Sequence, residues 1–160
     1  MGKGNAGFSL PEMILVVVIM GVLLAIAMPR MAPFAAVVRT RGAANRVAAD
    51  LAYTRQLAAS TGHRARLVLE RSDDCPAPPG WTAGHRYRVI IHGRDSVAAL
   101  RDLRLDGSPL CVASNGAGPV EFRSTGVLVG FSNRTIVIRQ GPHPADTLSL
   151  SAVGRVFRRY

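Results

Sequence analysis

The chain has 160 residues, two cysteines and a formal net charge of +10. That is the size of one small domain plus an N-terminal segment, long enough to bury a modest core without a metal. With no Cys-x-x-Cys and no second cysteine pair, a structural zinc site is disfavoured and no cofactor or metal is expected.

The first informative element is the start. Residues 1–7 (MGKGNAG) are small and polar, carry the only lysine, Lys3, and end in Gly7. They lead into GFSLPE, ending at Glu12, and then into sixteen uncharged residues, 13–28. Residues 8–28 would make roughly 31 Å of helix, enough to cross a hydrocarbon core. A lone carboxylate at the head of such a segment is costly in lipid and needs a partner. Ser9 with Glu12 also reads as a capping box, and Pro11 suits a first helical turn. A helix-start carboxylate on a simple signal anchor is thus the plainer alternative. The order is the reverse of a secretory signal, in which the apolar stretch precedes the cut and is discarded. Charge counting does not orient the segment: Lys3 and the amino terminus stand on one side, Arg30, Arg39 and Arg41 on the other.

After Pro29 and Pro33 the pattern predicts a helix that kinks and continues. Ala44, Val47, Ala48, Leu51 and Ala58 recur at helical spacing, with Arg39, Arg46, Asp50 and Arg55 mostly elsewhere on the wheel. Gly42 is its weak point and Thr61-Gly62 its stop. Beyond it the period changes to two. Strands are expected at 64–70, 86–92, 97–105, 119–122, 127–131, 135–139 and 147–151, with a short last one at 155–157. Gly, Pro, Asn and Asp separate them. The longest gaps, 72–84 and 108–118, each hold one cysteine, Cys75 and Cys111. If this part lies outside the cytoplasm, the two are expected to be bonded, stabilising the fold by roughly 4 kcal/mol.

The N-terminal motif resembles the leader of type IV pilins and pseudopilins. That resemblance implies cleavage between Gly7 and Phe8 by a prepilin peptidase and N-methylation of Phe8. It further implies that Glu12 of one subunit meets the Phe8 amine of its neighbour during assembly. The later elements resemble the minor pseudopilins of the GspH/FimT family: AADLAYTRQLAASTG (48–62), Gly80-Trp81, FRSTG (122–126), TIVI (135–138) and LSAVGRVFRR (150–159). The implied fold is α+β and pilin-like, a long N-terminal transmembrane and amphipathic α-helix packed on an antiparallel β-sheet domain. Its parts would be a leader at 1–7, a transmembrane helix at 8–29, an amphipathic continuation at 30–62 and a periplasmic β-rich domain at 63–160. The implied setting is the bacterial inner membrane, with other minor and major pilins or pseudopilins as partners in a pilus or pseudopilus.

An enzyme is not expected. His63, His85, His92 and His143 are scattered without ligand spacing, and no nucleophile elbow or phosphate loop occurs. Asn133-Arg134-Thr135 fits a glycosylation sequon, a frequent chance match. The C-terminus is the second candidate site. Arg155, Arg158 and Arg159 lie beside Phe157 and Tyr160, combining phosphate-binding cations with stacking surfaces. Once the leader is removed, nineteen Arg stand against ten carboxylates, a balance of +9. Genome composition explains Arg usage as readily as a polyanion partner does. Family members acting in DNA uptake carry a Gly-Arg-x-Arg-type element near this end that contacts DNA. Here Val156 and Phe157 separate Arg155 from Arg158. The bland alternative is a turn and an edge strand, which often carry charge to prevent unwanted pairing. Three functions stay open: a DNA-contacting type IV pilus subunit, a minor (H-type) tip pseudopilin of type II secretion, and a signal-anchored polyanion-binding domain outside any filament.

Overall fold

In a computed structural model, the described residues are 9–92, 96–104, 110–116, 118–130, 132–141 and 145–159, without the side chains of 28–30 and 32. The chain divides into two compact units between Ala35 and Ala36. The boundary falls within one helix, α1 (Leu10–Thr61), which continues through Pro29 and Pro33. In the N-terminal unit the window Leu10–Ala27 has a mean hydropathy of 2.6, and none of it is buried in the chain itself. It is long and apolar enough to cross a membrane.

In the second unit, α1 ends where predicted, with Gly62 at φ +69° after Thr61. That left-handed conformation closes a helix and suits glycine. Among the described residues nine strands follow: β1 (Ala65–Glu70), β2 (Trp81–Gly84), β3 (Arg86–Ile91), β4 (Val97–Asp102), β5 (Leu110–Asn115), β6 (Val120–Phe122), β7 (Arg134–Gln140), β8 (Asp146–Leu150) and β9 (Val156–Arg159). They form two sheets, ordered β4-β3-β1-β6 and β2-β5-β7-β8-β9, with antiparallel pairing throughout. Ala44, Val47, Leu51 and Ala58 of the helix share one core with Leu67, Val89, Phe122, Ile136, Ile138, Leu148 and Leu150. Strands with one covered face alternate as expected: in β7 and β8 every second side chain is buried.

Two strands depart from the sequence reading. β2 and β5 lie in the stretches read as loops, 72–84 and 108–118. Residues 110–114 of β5 are all buried, because both of its faces are covered. Leu110 and Val112 face the main core, while Cys111 and Ala113 join Cys75, Ala83 and Trp81 in a second cluster. Burial on both faces erases the period of two. Conversely, the expected strand at 127–131 reduces to a single bridge, Phe122 to Leu128, because turns at 124–125 and 129–130 break it. Phe131 lies outside the described residues.

A polar clamp ties the helix to the first sheet. Asp50, one of the polar residues expected to fall mostly away from the apolar stripe, is buried. It accepts hydrogen bonds from the Tyr87 hydroxyl (2.7 Å) and from Arg101 Nε (3.1 Å). Asp50→Ala strands the fully buried Tyr87 hydroxyl and is expected to cost about 2 kcal/mol, measured by chemical unfolding. Combining it with Tyr87→Phe should return part of that loss. Burial, then the bond to Asp50, pushes the Tyr87 phenol well above its ordinary value of 10.0. A raised pKa marks a fold that favours the neutral form, so this stabilisation is complete below about pH 10 and is lost as pH rises further. Stability should therefore fall more steeply above about pH 10 in the parent than in Tyr87→Phe.

Candidate functional site

The N-terminal candidate is built by the first turn of α1. Ser9 carbonyl accepts from the backbone N–H of Glu12 (3.0 Å) and of Met13 (3.2 Å). Pro11 sits in that turn, where its missing N–H removes no helical bond. Glu12 is exposed there, the one charged side chain of the apolar window Leu10–Ala27. Its carboxylate lies where the helix dipole favours negative charge. Gly7 and Phe8, its expected companions, lie outside the described residues, as do Lys3, His143 and Tyr160.

The C-terminal candidate is β9, which among the described residues is an edge strand paired with β8. Its alternation separates the three arginines. Arg155, Phe157 and Arg159 are exposed together, whereas Arg158 turns inward. Arg158 Nε donates to Asp146 Oδ1 at 3.0 Å, Nη2 donates to Asp146 Oδ2, and Nη1 donates to Asn45 Oδ1 at 2.9 Å. Arg158 thus does not share the exposed face of Arg155 and Arg159. Arg158 forks onto a buried carboxylate and ties β9 to β8 and to the helix. A period of two along β9 would have revealed this; its partner Asp146 would not have been found, because the pairing is not local.

Gly154, just before Arg155, answers to space and to backbone together. It adopts φ +79°, and a Cβ there would lie 2.6 Å from Gly126 O and 3.2 Å from Phe122 Cε1. Arg55 holds the same junction, Nε donating to Gly126 O (3.0 Å) and Nη1 to Gly154 O (3.4 Å). The FRSTG and GRV segments therefore meet and close the domain against the helix. Beside them runs a groove of about 650 Å³ lined by Ala48, Ala52, Arg55, Gly126, Arg155 and Phe157, among others. An exposed ring between two exposed cations, at the rim of this groove, can hold a flat or anionic group.

Cys75 and Cys111 are joined in a disulfide, with Cα atoms 5.6 Å apart. It fastens the segment before β2 onto the outer face of β5. His85, which the sequence left among scattered histidines, is buried beside it.

These features can be set against known proteins. A family model described as "Prokaryotic N-terminal methylation motif" matches residues 2–28. Another, "Type II transport protein GspH", matches residues 43–154, more than half of the chain. The chain belongs to the GspH family. No curated protein matches it. Among solved structures it is similar to the type IV minor pilin FimU of Pseudomonas aeruginosa, in two crystal forms. One has 22% identity and a TM-score of 0.61, over 79% of this chain and 92% of that one. The other has 24% identity and a TM-score of 0.53, over 75% and 92%. At such identity the likeness establishes a shared fold. With the methylation motif, this GspH-family chain is a pilin-like protein whose N-terminal helix is long and apolar enough to cross a membrane.

Proposed function

We propose that this subunit serves in a type IV pilus and contacts double-stranded DNA through the outward face of β9. A prepilin peptidase would cut after Gly7 and methylate Phe8, leaving the β domain on the periplasmic side of the inner membrane. Its role is binding and assembly, without catalysis. The observation that carries the DNA contact is the alternation of exposure along 155–159, with Arg155 just before β9 and Arg159 at its end in solvent on either side of Phe157. Two exposed guanidiniums, one before the strand and one at its end, suit a row of phosphates, and the ring between them suits a sugar or base.

The alternative is a minor pseudopilin of type II secretion acting in tip assembly, favoured by the description of the matching family model. A mobility-shift titration of the full chain in detergent micelles separates the two. DNA contact requires affinity that falls steeply with salt, and Arg155→Gln with Arg159→Gln should lower the logarithmic salt slope by about 2. Arg158→Gln should instead lower thermal stability, because it leaves Asp146 buried without its partner. Binding that ignores both salt and the double substitution would remove the DNA contact and leave the secretion reading.

A further inference from the structure

The disulfide has a third neighbour that its own chemistry does not use. Cys75, Cys111 and His85 are 6%, 7% and 2% exposed, and their ligand atoms lie within 4.8 Å of one another. Cys75 Sγ is 3.5 Å from both ring nitrogens of His85, and Cys111 Sγ is 3.9 Å from Nδ1. Nδ1 lies 2.9 Å from the Leu110 carbonyl, which can only accept, so Nδ1 carries the ring proton and Nε2 keeps its lone pair. While the disulfide is closed, neither sulfur has a proton to give that lone pair.

We propose that the reduced form of the chain binds one zinc ion between Cys75 Sγ, Cys111 Sγ and His85 Nε2. Tetrahedral zinc with sulfur at about 2.3 Å and nitrogen at about 2.0 Å spaces a sulfur from a nitrogen by about 3.6 Å and two sulfurs by about 3.8 Å. The first spacing is already met at 3.5 Å. Cys75 Sγ, equidistant from both nitrogens, sits over the ring and not on the Nε2 lone pair. The movement needed is therefore rotation of the freed cysteine side chains, on Cα atoms 5.6 Å apart. The bond from Nδ1 to the Leu110 carbonyl supplies the support that zinc-bound histidines commonly have, fixing ring and tautomer. Two thiolates cancel the charge of the ion, so the buried site carries no net charge. A cavity of about 380 Å³, lined by Cys75, Pro78 and Trp81 among others, adjoins the disulfide on the Cys75 side.

Disulfide and zinc are thus alternative occupants of one site. Passing from one to the other balances simply. The two thiolates give two electrons to the disulfide of an oxidant, the Cys75–Cys111 bond forms, the oxidant leaves as two thiolates and Zn²⁺ is released. In the opposite direction, a dithiol or phosphine reductant supplies the electrons.

The test uses the full chain in detergent, reduced with a phosphine or left oxidised, and titrated with Zn²⁺ against a chromophoric chelator, with Co²⁺ as a spectroscopic substitute. Expected for the reduced chain are one ion per chain, tetrahedral cobalt bands with a thiolate charge-transfer band, and a raised unfolding temperature. The oxidised chain should give none of these. His85→Gln should weaken the reduced site roughly tenfold or more. Because that substitution is buried, Cys111→Ser provides a second variant that should lose one thiolate from the cobalt spectrum. No tight binding by the reduced chain, equal binding by the oxidised chain, or a reduced site unmoved by both substitutions would each overturn the proposal.

Discussion

Replacing Gly84 with alanine is expected to unfold the β domain, or to leave it destabilised by about 3 kcal/mol or more. Gly84 ends β2 where that strand passes the end of β1, and Ser72 N–H donates to Ala83 O at 3.0 Å across the same junction. A Cβ at Gly84 would lie 1.7 Å from the Glu70 carbonyl oxygen and 2.9 Å from its carbon. Both are backbone atoms of a paired strand and cannot swing aside as a side-chain tip would. The two sheets would have to part, opening the cores on either side. Gly42→Ala provides the contrast: nothing lies within 4 Å of a Cβ there, and the site is mid-helix, so it should stabilise by up to about 1 kcal/mol. Thermal unfolding of the two variants beside the parent decides the matter. A Gly84→Ala chain as stable as the parent would contradict the close approach of β1 and β2.

Elements whose partners are near in sequence, or that keep one face in water, could be read before folding. The helix stop at Gly62, the apolar positions Ala44, Val47, Leu51 and Ala58, and the alternation of β7 and β8 are of this kind. What could not be read depends on distant partners. Asp50 looks like a surface carboxylate until Tyr87 and Arg101 arrive from β3 and β4. β5 looks like a loop because its outer face is covered by the segment holding Cys75. Arg158 looks like one cation of a cluster until Asp146 takes its charge. The same holds for His85, whose place beside the disulfide depends on β2, β3 and β5 coming together.

Glu12→Leu carries the largest functional effect. A carboxylate in an apolar helix costs up to about 3 kcal/mol to place in lipid, so its removal should not hinder membrane insertion. Nor should it disturb the β domain, whose core draws its helical residues from Ala43 onward. What the substitution removes is the one charge in the window Leu10–Ala27, the group proposed to pair with the Phe8 amine of a neighbouring subunit. The effect should therefore appear in assembly alone. The most direct measurement is an immunoblot for this chain in sheared filaments and in membranes, from cells carrying the parent or Glu12→Leu. Both chains are expected in membranes at equal level, with the variant depleted from filaments roughly tenfold or more, as losing a pairing of about 1.4 kcal/mol or more requires. Parent and variant at the same level in the sheared fraction would contradict an assembly role for Glu12.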